Sequence, residues 1–229
     1  CAVIPAPYKE REQISFETGK RIVEMVHADL TPSKIMTHKA FENAVVVASA
    51  IGGSSNCTAH LSAIAKHMGI KFDLSDWQKL GHNIPLLVNC QPAGEYLMES
   101  FYRAGGVPAV MKELIKNKKI HTNIMTVTGK TVGQNLKRKI DVDTKVIKTF
   151  KNSLEDNAGF LVMKSNFFSS AIMKTSVISK EFRDRYLSDP KNLNVFNGKA
   201  IVFEGPEDYH KRINDKKLKI DENSILIIR

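Results

Sequence analysis

The residues best suited to chemistry sit in one short run, Gly52-Gly53-Ser54-Ser55-Asn56, between two stretches that read as helices. Glycines let a ligand approach the backbone, and the free N–H groups at a helix start attract anions and hydroxyl oxygens. The same run suits a tight helix–helix turn capped by Ser55 or Asn56, and spacing alone favours that plainer role. It is not a phosphate loop, because GxxxxGK[ST] is absent. The histidines (His27, His38, His60, His67, His82, His121, His210) form no HxH or HExxH array. His60 and His67 fall on one helix about two turns apart, too far to share a metal without outside ligands. Cys1, Cys57 and Cys90 are an odd set with no CxxC spacing, so no disulfide framework is expected and a reducing cytoplasm is the natural setting. The carboxylate pairs Asp141/Asp143 and Glu207/Asp208 read as solvated loop or cap residues. GxSxG and the dinucleotide fingerprint are both missing.

These residues need elements to hold them. Glu10 to Asp29 carries Ile14, Ile22, Val23 and Val26 at helical spacing and is closed by Thr31 to Ser33. From Thr37, a fitting N-cap, Phe41, Ala44, Val45 and Ala48 fall on one helical face. A further helix aligns Cys57, Leu61, Ile64, Ala65 and Met68, with Gly69 as its stop. Ser75 is the expected cap of a short helix through Trp77 and Leu80. Ile84 to Asn89 is an apolar run of strand length. Glu95 to Arg103 reads as a helix stopped by Gly105-Gly106, and Val107, Val110, Met111 and Leu114 mark the next, with Pro108 in its first turn. After Lys118 the chain turns polar and basic as far as about Thr149, the expected domain boundary. Strand-like runs follow at Phe160–Met163, Ala171–Ile178, Ala200–Phe203 and Ser224–Ile228, interrupted by a helix from Pro206 to Ile213.

The totals narrow the classes. Hydrophobic residues at 42% and charged residues at 25% suit a soluble globular chain. No apolar run is long enough for a membrane span. The net charge of +10 is mostly lysine scattered through loops. Between Lys112 and Lys151 eleven basic residues face three acids, but no aromatic is interleaved before Phe150, so the stacking platform for nucleic acid is missing. The chain starts at Cys1 without a methionine and stops inside the apolar run ILIIR, so it is expected to be an internal piece that is poorly soluble or partly unfolded when expressed alone.

Four segments, in order, carry a family likeness. AFENAVVVASAIGGSSNCTAHLSAIAKHMGI (40–70), IPLLVNCQPAGEYLMESFYRAGGVPAVMKEL (84–114), AIMKTSVIS (171–179) and KAIVFEGPEDYHKRI (199–213) resemble the dihydroxy-acid and sugar-acid dehydratase family, where the first usually carries GGSTN and the second ends near RAGG. The resemblance implies an α/β fold: the helix-rich end of an N-terminal α/β domain (1–140), then the start of a β-rich C-terminal domain (141–229). It implies a hydro-lyase that converts a 2,3-dihydroxy acid to a 2-keto acid. An iron–sulfur cluster would act as Lewis acid at the leaving hydroxyl, and Mg²⁺ would hold the carboxylate and 2-hydroxyl. The family's cluster cysteines and Asp-Lys metal pair map before Cys1, and its later metal segment and catalytic serine map after Arg229. No catalytic or metal-binding residue is therefore carried onto this chain, Cys1 included. Ser54, Ser55 and Asn56, with Tyr102, Gly105 and Gly106, are expected to line or support the substrate pocket. Tyr102 replaces the histidine of HRAGG, and Ser170–Ser176 (SAIMKTS) replaces GCxVKTAG. Both differences resemble the sugar-acid branch more than the branched-chain one.

The expected partners follow from that likeness: a small hydroxy-acid substrate and further copies of the same chain, as dimer or tetramer, with neither nucleic acid nor membrane. The rival expectations are a dihydroxy-acid dehydratase of branched-chain amino-acid synthesis and a non-catalytic, stand-alone basic module.

Overall fold

Helical periodicity in the first third of the chain becomes α1 Lys9–His27, α2 Pro32–Ile35, α3 His38–Ala50, α4 Asn56–His67 and α5 Leu74–Gly81. The computed structural model describes residues 3–166, 168–187 and 197–229, so Cys1 lies outside the described residues. Helix α3 is the hub. Phe41, Asn43, Val45, Val46, Ala48, Ser49 and Ala50 are all buried, because its apolar residues cover more than one face. Val46 and Ala50 join a core with Leu87, Val88, Phe101, Val110, Leu114 and Ile147. Phe41, Val45 and Ala48 join a second core with Ala65, Phe72, Trp77 and Phe160.

The cap of α5 differs from the sequence expectation. Asp73, not Ser75, is the N-cap: its carboxylate accepts from the Ser75 N–H at 2.8 Å, and Asp76 reaches back to the Asp73 N–H at 2.9 Å. Two acceptors at the helix start outcompete a lone hydroxyl two residues further in. Trp77, fully buried, then meets the Phe160 ring edge-on at 4.9 Å. Backbones cross very closely here. A side chain at Gly159 would put its first carbon 1.9 Å from the Gly81 carbonyl oxygen, so position 159 requires glycine, and one at Gly81 would meet Ser49 Oγ at 2.6 Å.

Helix α6 is Met98–Arg103, shorter than the expected Glu95–Arg103. The reason is that Glu95 is held in a turn, with its N–H on the Asn89 side-chain oxygen at 3.0 Å. Helix α7, Gly106–Lys116, follows a turn in which Gly105 and Gly106 have φ of 108° and 57°. The run Ile84–Asn89 is buried and extended, yet it forms isolated bridges, Leu86 to Glu155 and Val88 to Ile147, in place of a continuous strand. Its partner segment is broken by a 3₁₀ turn at Phe150–Asn152, so no ladder can run alongside. The basic stretch contains only α8, Val132–Asn135, boxed by Thr131 and Gln134. Asn43 clips that stretch to α3: its side chain accepts from the His121 N–H and donates to the His121 carbonyl, both at 2.8 Å.

Strands β1 Phe160–Met163 and β2 Ala171–Lys174 pair antiparallel, with Phe160 opposite Lys174. The expected strand to Ile178 ends early because Thr175–Val177 forms a 3₁₀ turn, in which the buried Thr175 hydroxyl donates to the Gly159 carbonyl at 2.8 Å. The chain divides into two compact units, Cys1–Val177 and Ile178–Arg229. The second unit opens with a short helix, α9 Lys180–Phe182. It is built on β3 Lys199–Phe203, α10 Pro206–Arg212 and β4 Ser224–Ile228, with β3 and β4 parallel. Parallel neighbours need a crossover, which here contains α10. Phe203 is buried and meets Tyr209 edge-on at 5.3 Å. The last residue, Arg229, pairs with Glu204 through both carboxylate oxygens, and this holds the Glu204 carboxyl below the usual range.

Candidate functional site

The turn from α3 to α4 forms one wall of a cleft of about 470 Å³. Ile51, Gly52, Gly53, Ser54 and Ser55 line it, and Val88, Met98, Phe101 and Val177 supply an apolar side. Gly52 has φ of +63°, and a first side-chain carbon there would stand 2.9 Å from Leu86 Cδ1 and 3.9 Å from Lys174 Cε. Glycine is thus required both by the left-handed backbone and by Leu86 Cδ1, while the Lys174 stem lies at ordinary contact distance. Beside the same point lies the buried Ser176 hydroxyl, 3.5 Å away, which has no hydrogen-bond partner among the described residues.

Polar groups converge on this cleft from two sides. Ser54 Oγ accepts from the Asn56 N–H at 3.2 Å, leaving its own proton to donate outward. Ser55 occupies the N-cap position of α4, yet its hydroxyl makes no cap bond, and the first turn contains no acidic residue. The first N–H groups of α4 are already taken, Asn56 by Ser54 Oγ, Cys57 by the Ser54 carbonyl at 3.0 Å and Thr58 by the Ser55 carbonyl at 3.1 Å, so the helix start offers only its partial positive charge. From the strand side comes Lys174, at the end of β2, its stem against Gly52. Desolvation pushes its ammonium below the ordinary lysine range, and the neighbouring Cys57 thiol partly opposes that shift. Cys90 also lines the cleft, and burial raises its thiol above the usual range, so it stays protonated at neutral pH.

The six residues expected from sequence fall into separate places. Ser54 and Ser55 line this cleft, whereas Asn56 is exposed beside it as the first residue of α4. Tyr102, Gly105 and Gly106 line a different cleft of about 600 Å³, together with Ile4, Arg103, Arg138 and Lys139. Helix α6 separates the two: Phe101 faces the first and Tyr102 the second. On the second side Tyr8 donates to Glu99 at 2.5 Å, and Arg103 salt-bridges Glu99 at 2.8 Å. That pairing holds the Glu99 carboxyl below its ordinary value, chiefly through the Tyr8 hydroxyl.

Lys174, Gln91, Met98 and Phe101 are site residues that sequence reasoning did not single out. The one available signal was a lysine closing the otherwise apolar run Ala171–Met173. The histidines remain apart from this site in one informative case: His38 and His121 flank Glu42, at 3.4 Å and 2.5 Å, beside the Asn43 clip. Among the described residues no three His, Cys, Asp or Glu side chains converge as a metal site. The described residues therefore do not fit the ligand set of an iron–sulfur cluster or of Mg²⁺. No helix among them is long and apolar enough to cross a membrane.

Comparison with known proteins bears on the whole length. Residues 1–135 match the family model for the dihydroxy-acid/6-phosphogluconate dehydratase N-terminal domain, and residues 145–229 match the C-terminal one. All 229 residues align at 51% identity with a D-xylonate dehydratase of Caulobacter vibrioides. The same length aligns at 40% with an L-arabinonate dehydratase of Rhizobium leguminosarum. A dihydroxy-acid dehydratase of Caldicellulosiruptor bescii is 38% identical over 99% of the chain. The chain spans 38% of the first two relatives and 39% of the third.

Proposed function

Because this chain belongs to the dihydroxy-acid/6-phosphogluconate dehydratase family, we propose that it supplies the substrate-binding cleft of a sugar-acid hydro-lyase. The reaction in this reading takes an aldonate to its 2-keto-3-deoxy acid. C2 loses a proton, the C3–O bond breaks, water departs, and the resulting enol tautomerises to the ketone. The observation that carries the proposal is the convergence of Ser54, Ser55 and Lys174 on one cleft. Hydroxyls and an ammonium on one side, with an apolar wall on the other, suit a small acid rich in hydroxyl groups. The similarity to relatives named for xylonate and arabinonate supports the same substrate class.

In this reading the chain binds and orients, and none of its residues is assigned a catalytic step. The iron–sulfur cluster and Mg²⁺ belong to the proposal for the complete enzyme, where they would supply the Lewis acid, with ligands outside the described residues. Two family domains meeting near residue 140, a homo-oligomer of two or four copies and a cytoplasmic setting complete the proposal. So do Tyr102, Gly105, Gly106 and Asn56 as supports of the substrate pocket, and the absence of a nucleic-acid partner.

A second reading, a dihydroxy-acid dehydratase acting on branched-chain precursors, is favoured by the apolar wall of Val88, Met98, Phe101 and Val177. The complete gene product separates the two readings. Turnover of pentonates well above that of 2,3-dihydroxyisovalerate is the expected result. The reverse preference selects the second reading, and the absence of turnover of either defeats both.

A further inference from the structure

We propose that the cleft between α7 and the basic segment 122–149 binds a small organic acid with an apolar body, its carboxylate held by Lys137 and Lys148. The proposal stands apart from the hydro-lyase reading and gives a role to the basic stretch that the reading leaves unused.

The cleft has walls from two segments. Ala109, Lys112, Glu113 and Lys116 recur at helical spacing on one face of α7 and line one side. Gly133 of α8, with Leu136, Lys137 and Ile140 after it, lines another, and Ile147 and Lys148 complete the enclosure. Its volume is about 440 Å³, within the range of small-molecule sites. Leu136 and Ile147 are buried and give it an apolar floor.

Backbone contacts hold these walls in place. Lys112 Nζ donates to the Arg138 carbonyl at 2.5 Å, and Glu113 accepts from the Phe150 N–H at 3.1 Å. The Gly133 N–H donates to the Thr122 carbonyl at 2.8 Å, and a first side-chain carbon at 133 would stand 3.2 Å from that oxygen. The hollow is therefore formed before any ligand arrives.

Its charge is one-sided. Four lysines line it, Lys112, Lys116, Lys137 and Lys148, against the single acid Glu113. That acid is committed within the chain, to the Phe150 N–H, to the Asn117 side chain at 3.3 Å and to Lys116 at 3.3 Å. Lys112 is spent on the Arg138 carbonyl. Lys137 and Lys148 have no carboxylate partner among the described residues. A lone surface lysine is satisfied by water. Two beside an apolar hollow attract an anion whose body covers the floor while its charge stays at the rim. No aromatic ring is among the described lining residues, so a nucleic acid finds no stacking surface here.

This cleft and that of Ser54 and Ser55 lie on either side of one bridged pair. Ile147, which lines the first, bridges Val88, which lines the second, and the Lys148 N–H donates to the Leu87 carbonyl at 2.7 Å. Both clefts can therefore be filled at once.

The test titrates the complete gene product calorimetrically with 2-naphthoate, and with 2-naphthalenemethanol as a neutral body of the same shape. Naphthoate binds with a Kd of about 0.1 to 1 mM, as its roughly 13 heavy atoms allow, and the alcohol binds at least about 5-fold more weakly. Lys137→Met combined with Lys148→Met weakens naphthoate about 10-fold, the scale of two partly exposed ion pairs, whereas arginine at both positions retains it. Saturation with the acid that the enzyme turns over fastest leaves the naphthoate Kd unchanged. Absence of naphthoate binding to wild type overturns the proposal, as does equal binding of the alcohol or undiminished affinity in the double methionine variant. Displacement by the turned-over acid also overturns it, because naphthoate then occupies the substrate cleft. Should the double methionine variant melt earlier than wild type, Lys137→Glu at its exposed position decides. Loss of naphthoate binding there supports the site, and retention overturns it.

Discussion

The two clefts on either side of α6 begin from similar sequence and end differently. Each has a glycine pair leading into a helix, Gly52-Gly53 shortly before α4 and Gly105-Gly106 as the cap and first residue of α7. Each has cations at its margin. In the second cleft Arg103, next to the glycine pair, is already paired with Glu99 and bonded to Tyr8, and Lys139 approaches Asp141 at 3.9 Å, while Arg138 has no carboxylate partner among the described residues. In the first, Lys174 has no such partner among the described residues. Glycine pairs are therefore poor guides to a binding site. The useful distinction is whether the charge beside them is already satisfied within the chain.

Alanine at the leading glycine of each pair breaks this comparison most strongly. At Gly105 the added carbon meets Ala109 Cβ at 2.9 Å, Ile140 Cγ2 at 3.0 Å and the Asp141 carbonyl oxygen at 3.1 Å, on a backbone with φ of 108°. Gly105→Ala is expected to cost about 3 kcal/mol in chemical denaturation of the complete gene product, combining strain and overpacking. Pentonate affinity of the folded fraction should fall less than in Gly52→Ala, because Gly105 supports the substrate pocket from a separate cleft. Gly52→Ala meets Leu86 Cδ1 at 2.9 Å on a left-handed backbone and should cost about 1 to 2 kcal/mol, yet weaken pentonate binding about 10-fold by shifting the turn that carries Ser54 and Ser55. A larger affinity loss at Gly105 than at Gly52 would reverse the assignment of the two clefts.

A smaller effect sharpens the first cleft. Ser54→Ala and Ser55→Ala each remove one neutral hydrogen bond, so steady-state KM for a pentonate should rise about 3- to 10-fold. Stability should remain within about 0.5 kcal/mol, because both side chains are exposed. Unchanged kinetics in both variants would leave the turn with a purely structural role.

The smallest effect belongs to the second cleft. Tyr8→Phe removes the main group lowering the Glu99 carboxyl, so its NMR titration should move up toward the ordinary glutamate value. The sign is that of a depressed acid: the stabilising pairing is complete above the unfolded pKa and is lost as pH falls through the lowered one. Pentonate kinetics should not change. A kinetic effect would show that the exposed Tyr8–Glu99–Arg103 group reaches the substrate after all.

Much of the fold was legible because it rests on local pattern. The 3.6-residue spacing of Phe41, Val45 and Ala48 yields α3, and Pro206 marks the first position of α10. The strand runs at 160, 200 and 224 also appear where their apolar composition places them. What escaped depends on distant partners. The run Ile84–Asn89 has strand composition, but its neighbour is bent by a 3₁₀ turn that composition does not reveal. The α5 cap went to Asp73 because a two-way exchange with Asp76 outweighs one hydroxyl. The candidate site was legible in part for the same reason. Ser54 and Ser55 announce themselves by their turn, whereas Lys174 gains meaning only from its contact with Gly52 and from the carboxylate it lacks.

The crossing of Ser49, Gly81 and Gly159 has a consequence for how this sequence can drift. The Gly81 carbonyl occupies the place of any side chain at 159, and Ser49 Oγ lies 2.6 Å from the place of one at 81. Three segments far apart in the chain thus share one tight space, with the Ser49 hydroxyl its only removable volume. A side chain at 159 clashes with backbone, which no second substitution can shrink, whereas one at 81 is opposed chiefly by Ser49 Oγ, which only a smaller residue at 49 would remove. Under random variation this junction stays frozen while the exposed lysines around it change freely, and it outlasts any change of substrate in the cleft nearby.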